Sequence, residues 1–98
     1  MRVAELISEY RVKNPEGHFF DRETLRFFGE KVSEMRYNGL TEITDYRGHR
    51  REVHELRTVQ RFEGLGKRWK LHFFDPDTFD QVFPDQNTVD EGEWVKIN

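Results

Sequence analysis

The chain has 98 residues, of which 35% are hydrophobic and 36% are charged, and its net charge is −3. This length allows one domain with a modest core, and nine phenylalanines supply bulky side chains that argue against disorder. The absence of cysteine excludes disulfides and thiolate chemistry, and no apolar run approaches the roughly 20 residues of a membrane span. We therefore expect a single domain over 1–98, in the cytoplasm.

The charge is unevenly distributed along the chain. Residues 47–72 contain eight Arg or Lys against three acids, whereas residues 75–98 contain seven acids against one Lys. This segregation indicates either that the two regions fold against each other or that they form two faces for different partners.

The N-terminal third is predicted to be helical. Apolar residues at helical spacing predict a helix over 2–12 that ends at the loop 14–17. The tetrapeptide His-Phe-Phe-Asp then occurs at 18–21, and Asp21 is placed to cap a second helix over 22–36. Phe20 and Leu25 have the spacing of a hydrophobic staple across such a cap. An alternative is a break at Gly29 with 31–37 extended, because glycine weakens a helix interior.

The middle of the chain has the composition of β-strands. Residues 41–46, 52–62 and 67–74 are predicted strands joined by turns at 47–49 and 64–67, although 52–62 also fits a helix that ends at Gly64. In the third strand, Trp69, Leu71 and Phe73 alternate with Lys70, His72 and Phe74, and the first set is expected to face the core.

A second His-Phe-Phe-Asp, at 72–75, ends the third strand. Asp75 and Pro76 predict a short helix over 76–82 with Phe74 and Phe79 as its staple, so we interpret the repeated tetrapeptide as one way of starting a helix used twice. The polar tail 85–98 either docks through residues 94–97 as an edge strand or only tethers. The predicted class is α+β, with N-terminal helices on a small antiparallel sheet of about three strands, a short C-terminal helix and an acidic tail.

No pattern in the sequence indicates catalysis. The four histidines, His18, His49, His54 and His72, lack a recognised metal-ligand spacing. The segment 75–80 lacks the glycine and terminal glutamate of a calcium loop, and Gly-Leu-Gly-Lys at 64–67 is not a complete phosphate loop. We therefore expect no enzyme activity, no metal and no cofactor.

The predicted partner-binding residues lie in two basic turns and comprise Arg47, His49, Arg50, Arg51, Lys67, Arg68 and Lys70. Such turns orient a protein partner through charge, and they equally allow pairing with the acidic tail. Single-stranded nucleic acid, gripped by these cations with stacking on Trp69, is the alternative partner. A homodimer formed through a sheet edge also remains possible, and no membrane partner is expected.

Residues 18–29, from His18 through Gly29, resemble a motif of small proteins from bacteriophages and other mobile elements, and 55–62 resembles their sheet segment more loosely. That group brings no known activity. The resemblance implies a phage-type accessory protein in the cytoplasm of a bacterial host. Together with the segregated charge and the lack of catalytic patterns, it leads us to expect a noncatalytic protein that binds a host or phage macromolecule, with a protein as the expected partner.

Overall fold

The structure is a computed structural model that describes residues 5–6, 8, 20–21, 26–27 and 30–94. Its elements are strands: β1 (Phe20–Asp21), β2 (Arg26–Phe27), β3 (Glu30–Lys31), β4 (Glu34–Thr44), β5 (Arg50–Phe62), β6 (Gly66–Phe74), β7 (Gln81–Val82) and β8 (Glu91–Trp94). The α+β prediction is therefore wrong, because antiparallel strands form a curled half-barrel. Helical backbone is described only at Glu5, Leu6 and Ser8, so most of the predicted helix 2–12 lies outside the described residues.

The central meander has the predicted order of strands, but its first strand is Glu34–Thr44 rather than 41–46, and its sheet has five strands rather than about three. β4, β5 and β6 are consecutive antiparallel neighbours, and β7 follows β6 in the same sheet. The segment 52–62 is a strand rather than a helix, and it pairs without interruption from His54↔Phe74 to Phe62↔Gly66. Its β-branched residues Val53, Thr58 and Val59, buried on both faces at the middle of the sheet, explain why the strand alternative is the one adopted.

One end of the sheet is closed by the segment after β7. β7 pairs with the end of β6, and the next residues return to the end of β4. There the N–H of Tyr46 donates to the carbonyl of Phe83 at 2.9 Å, and the N–H of Asp85 donates to that of Thr44 at 3.0 Å. The strands therefore form a ring at this end, and the described residues form no such closure at the end that carries the β5–β6 turn.

The two sides of the sheet have separate cores. Residues directly opposite in an antiparallel pair lie on the same face, so odd-numbered residues of β5 and β6 share one side. On that side the inner cluster comprises Val53, Phe73 and Val82 with Ile43 and Leu71, drawn from all four strands of the ring. On the other side the outer cluster comprises Leu6, Val32, Leu56, Phe74 and Phe79, with Met35 and Tyr37 against it. The predicted separation of Phe73 from Phe74 is thereby confirmed.

A bulge in β4 moves its half-buried side chains from one core to the other. The register with β5 shifts between Tyr37 and Gly39, and Gly39 has a φ of 93° that favours glycine. Before the shift, Met35 and Tyr37 pack against the outer cluster, and after it Ile43 packs against the inner cluster. One strand thus serves both cores.

The predicted helix 22–36 is wrong wherever the structure describes it. Residues 26–27 and 30–31 are strands, and 34–36 begin β4, so the alternative of an extended 31–37 is the better one. Asp21 pairs with Arg26 in a β-ladder instead of capping a helix, while residues 22–25, including the staple partner Leu25, lie outside the described residues. Aspartate initiates tight turns as readily as helices, which is why the capping pattern misled.

The second tetrapeptide begins a single turn, not a helix. The Asp75 carboxylate accepts the N–H groups of Asp77 at 2.8 Å and Thr78 at 3.0 Å, which is the predicted capping role. The chain then leaves the turn at Phe79, with a φ of 61°, and enters β7, so the helix 76–82 is wrong. Burial of the Phe79 ring in the outer cluster offsets the strain of about 1–3 kcal/mol that this backbone conformation costs.

The tail docks through an edge strand, but this strand is β8 at Glu91–Trp94 rather than 94–97, and residues 95–97 lie outside the described residues. β8 pairs with residues 67–70 of β6, and the indole of Trp69 lies against Gly92, so Trp69 is half-buried there. Within the described residues, no helix combines the length and the apolar character needed to cross a bilayer.

Candidate partner-binding surfaces

The two basic turns lie at opposite ends of the sheet. Arg51 is near the start of β5, whereas Lys67 stands opposite Arg61 near its end. Ten residues of strand separate Arg51 from Arg61, which corresponds to roughly 33 Å at 3.3 Å per residue. The seven predicted residues therefore do not form one site, and each end is described separately below.

The β4–β5 turn is held by Asp45. Its carboxylate is buried and accepts the N–H groups of Arg47 at 3.0 Å and His49 at 2.9 Å. The hydrogen bond from His49 is the largest cause that lowers the pKa of Asp45, and the Arg47 N–H and the Arg51 charge act in the same direction against the opposing effect of burial. The turn is therefore built around a carboxylate that is charged at neutral pH.

Arg51 joins this turn to the one that follows β6. Its Nη2 lies 2.6 Å from an oxygen of Asp75, and its Nη1 lies 3.9 Å from an oxygen of Asp45. The pKa of Asp75 is lowered mainly by the Thr78 N–H and further by the Asp77 N–H and by Arg51. Arg51, a predicted partner-binding residue, is thus paired with two carboxylates of its own chain.

The remaining predicted residues of this end are exposed. Arg50 pairs with Glu42 at 2.5 Å on the surface, with side chains 79% and 56% exposed. Arg47 donates from Nε to the Tyr46 hydroxyl at 2.9 Å and lies over the Tyr46 ring, 5.3 Å from its centroid. His49 is exposed beside them.

An open cleft of about 460 Å³ lies at this end and we name it the cleft surface. Its lining residues are Asp45, Tyr46, Arg47, His49, Arg51, Gln81, Val82 and Phe83. Two large aromatic side chains are exposed here, Tyr46 at 61% and Phe83 at 57%. The sequence prediction named neither Tyr46 nor Phe83 as a binding residue. Phe83 could not be placed from the sequence, because it reaches the cleft through the closing segment after β7.

The opposite end carries a smaller groove of about 190 Å³, which we name the tip surface. It is lined by Phe62, Leu65, Gly66, Lys67 and Arg68. Leu65 is 87% exposed at the apex of the β5–β6 turn, and the Arg68 guanidinium lies 5.8 Å from the centroid of the Phe62 ring. Two of the seven predicted residues, Lys67 and Arg68, therefore lie beside exposed apolar side chains.

One acid of the tail stands across the sheet from a cation of β6. Lys70 is opposite Glu91 in the register. Opposite charges placed directly across a strand pair are favourable. The open question of whether the basic residues face a ligand or the acidic tail thus has a mixed answer, because the register brings Lys70 to the tail while Arg47, His49 and Arg50 lie at the other end of the sheet.

Two histidines are buried in the sheet rather than arranged as a site. Tyr37 Oη lies 2.6 Å from His54 Nδ1, and Thr58 Oγ1 lies 2.9 Å from His72 Nε2. Burial, followed by the charge of Lys70, lowers the pKa of His72 to about 4, so the ring is neutral at neutral pH. Among the residues that the structure describes, no three His, Asp or Glu side chains gather as metal ligands.

No protein-family model, curated protein or solved structure matches this chain. The resemblance of residues 18–29 to proteins of phages and mobile elements therefore stays a prediction. The function is inferred below from the two surfaces.

Proposed function

We propose that this is a noncatalytic protein-binding domain whose partner docks on the cleft surface. The observation that carries the proposal is the exposure of Tyr46 and Phe83 at the rim of an open cleft with an ordered polar floor. Tyrosine, phenylalanine and arginine are enriched at protein interfaces, where rigid rings contribute large contact area at a small entropic cost. The Arg47 guanidinium, held on the Tyr46 ring, extends this rim.

The floor of the cleft is preorganised. The turn beneath Tyr46 is held by two N–H bonds to Asp45, and Arg51 ties it to the turn at Asp75. A surface that is already ordered loses little conformational entropy on binding, which favours affinity. The cleft therefore has the rigidity that a docking site needs.

The charges at this end favour a protein over a polyanion. The three arginines, Arg47, Arg50 and Arg51, are outnumbered by the acids at the same end, which include Glu42, Asp45, Glu52 and Asp75. A nucleic-acid site requires unbalanced cations, because affinity for phosphates comes largely from released counterions. The alternative of single-stranded nucleic acid bound through 47–51 and 67–70 is weakened further by the roughly 33 Å between the two turns. It predicts oligonucleotide binding at low salt that falls steeply as salt is added.

Affinity capture tests the proposal. The tagged full chain is incubated with a bacterial lysate, the source of partners that the resemblance implies, and the captured proteins are quantified. We expect a stoichiometric protein partner whose recovery falls about tenfold or more in the double variant Tyr46→Ser and Phe83→Ser, as loss of interface anchors predicts. Both side chains are exposed, so the variant is expected to fold.

Leu40→Ser is the matched control, because Leu40 is similarly exposed, at 53%, but does not line the cleft. The amount of partner protein that Leu40→Ser captures should equal the amount captured by the unaltered chain. Equal loss in the control and the double variant would contradict the proposal, as would capture that disappears after nuclease treatment. Turnover of a substrate by the purified chain would contradict its noncatalytic character.

A further inference from the structure

The β5–β6 turn projects beyond the neighbouring strand. The first pair between β4 and β5 is Glu34↔Val59, so the hairpin residues 60–66 extend past the start of β4. The turn is closed by a hydrogen bond from the Leu65 N–H to the Phe62 carbonyl at 3.0 Å, and Gly64 has a φ of 76°. The projection is therefore an ordered turn and holds Leu65 outward.

Leu65 is the most exposed of the large hydrophobic side chains in the described part of the chain. A hydrophobic side chain at the apex of a tight turn gains nothing for the fold, since polar residues satisfy the turn geometry equally well. Phe62, at 41% exposure, widens the apolar area beside it. The apex thus offers a hydrophobic side chain that the described residues leave unburied.

Cations surround this side chain. Arg61 and Lys67 stand directly opposite each other in the register, which is a destabilising arrangement of like charges. Within the described residues, neither one comes within ion-pair distance of an acid. Segment 60–68 contains Arg61, Lys67 and Arg68 against a single acid, Glu63. The positive charges of Arg61 and Lys67 are thus available to an external carboxylate.

We propose that the tip surface is a second docking site, at which Leu65 packs on apolar side chains flanked by carboxylates in a segment of a partner protein. A second copy of this chain is disfavoured because it would bring two positive tips together. A membrane is disfavoured because one projecting leucine buries less apolar surface than a single acyl chain, which itself gives only marginal membrane binding. A nucleic acid would need a ring for stacking, whereas Leu65 has none and Phe62 already lies beside Arg68.

This inference goes beyond the proposed function of the cleft surface. The twelve strand steps from Arg50 to Phe62 place the two surfaces roughly 40 Å apart, so one small contact area cannot cover both. The domain would accordingly hold two partners, or two distant parts of one.

Selection of random linear peptides on the immobilised full chain tests the tip. We expect enriched peptides that combine Asp or Glu with Leu, Phe or Trp. A synthetic copy of such a peptide should bind about tenfold more weakly to Leu65→Ser, and its affinity should lose salt dependence in Arg61→Gln with Lys67→Gln. Val89→Ser is the matched control, since Val89 is 68% exposed away from the tip, and its affinity should match that of the unaltered chain.

The same peptide separates the tip from the cleft. The peptide should bind the Tyr46→Ser and Phe83→Ser variant as tightly as the unaltered chain. Peptide binding at the tip would therefore stand even if the proposed function of the cleft surface were wrong. Enriched peptides that lack acids, or whose binding does not depend on Leu65, would overturn the proposal. So would Leu65-dependent binding of the chain to phosphatidylserine vesicles, which would assign the tip to lipid. An unfolding midpoint of Leu65→Ser equal to that of the unaltered chain verifies that the fold is retained.

Discussion

The stability of this domain should fall on mild acidification because of one buried imidazole. His72 is 6% exposed in β6 and contacts the Thr58 hydroxyl through Nε2 at 2.9 Å. Its environment disfavours the charged form, first through burial and then through the neighbouring charge of Lys70, which lower its pKa to about 4. In the unfolded chain the same ring titrates at its ordinary value of 6.5.

The sign of the effect follows from proton uptake. Between pH 6.5 and about 4, the unfolded chain protonates His72 while the folded protein keeps the ring neutral, so acid favours unfolding. The contribution of neutral His72 is therefore fully present above pH 6.5 and lost as the pH falls toward 4. At about 1.4 kcal/mol for each unit of difference, the loss is on the order of 3 kcal/mol. Asp45 and Asp75, whose pKa values are lowered, lose their contributions only at still lower pH.

Urea unfolding at a series of pH values measures this effect. In His72→Gln the decline of unfolding free energy between pH 6.5 and 4 should largely disappear, whatever the absolute stability of the variant, since its side chain does not titrate. His49→Gln is the control, because His49 is exposed in the β4–β5 turn and the decline should persist there. An equal decline in His72→Gln and in the unaltered chain would refute the reasoning.

Two further substitutions test the packing that shapes the surfaces. Gly92→Ala places a Cβ about 2.7 Å from indole carbons of Trp69. We therefore expect the unfolding free energy to fall by about 1–3 kcal/mol and hydrogen exchange in β8 to become faster. Unchanged exchange in β8 would contradict the contact between Gly92 and Trp69. Arg51→Met leaves the partly buried Asp75 carboxylate without its guanidinium and should lower the unfolding free energy by about 1–2 kcal/mol. Arg50→Met is the control and should lower it by less than about 0.5 kcal/mol, because the ion pair between Arg50 and Glu42 is exposed. Equal costs by urea unfolding would show that Arg51 does not tie the two turns.

Much of the sheet could be predicted from local patterns. The strands 52–62 and 67–74 have β-branched and aromatic residues between turn residues, and both are strands in the structure. Asp75 has the predicted capping role, although a turn follows it in place of the predicted helix, because an aspartate side chain reaches the N–H groups two and three residues ahead whatever follows. These features depend on contacts between residues close in the chain.

The predicted helix 22–36 was wrong because the same apolar residues fit both the spacing of a helix and the spacing of a strand. Val32 and Met35 have helical spacing, yet Met35 belongs to β4 and shares its half-buried side with Tyr37. The bulge before Gly39 then shifts the register, so β4 has no single core face from end to end. A sequence pattern that assumes one core face misses a strand that contributes to two.

The candidate site was predictable only in part. Arg47 and His49 line the cleft as exposed residues of a basic turn, but Arg51 is engaged by Asp75 from a segment 24 residues later. Phe83 joins the cleft because the chain after β7 hydrogen-bonds to Tyr46. Neither contact has a signal in the local sequence.

The sequence by itself determined the number of central strands, their turns, the capping role of Asp75 and the segregation of charge along the chain. Tertiary structure alone decided that the strands curl into a half-barrel, that the two basic turns lie at opposite ends, and which cations are neutralised. The physical reason is that turns and caps are satisfied by neighbours in the chain. Sheet closure and ion pairing depend on distant segments whose register is set only when the whole sheet has formed.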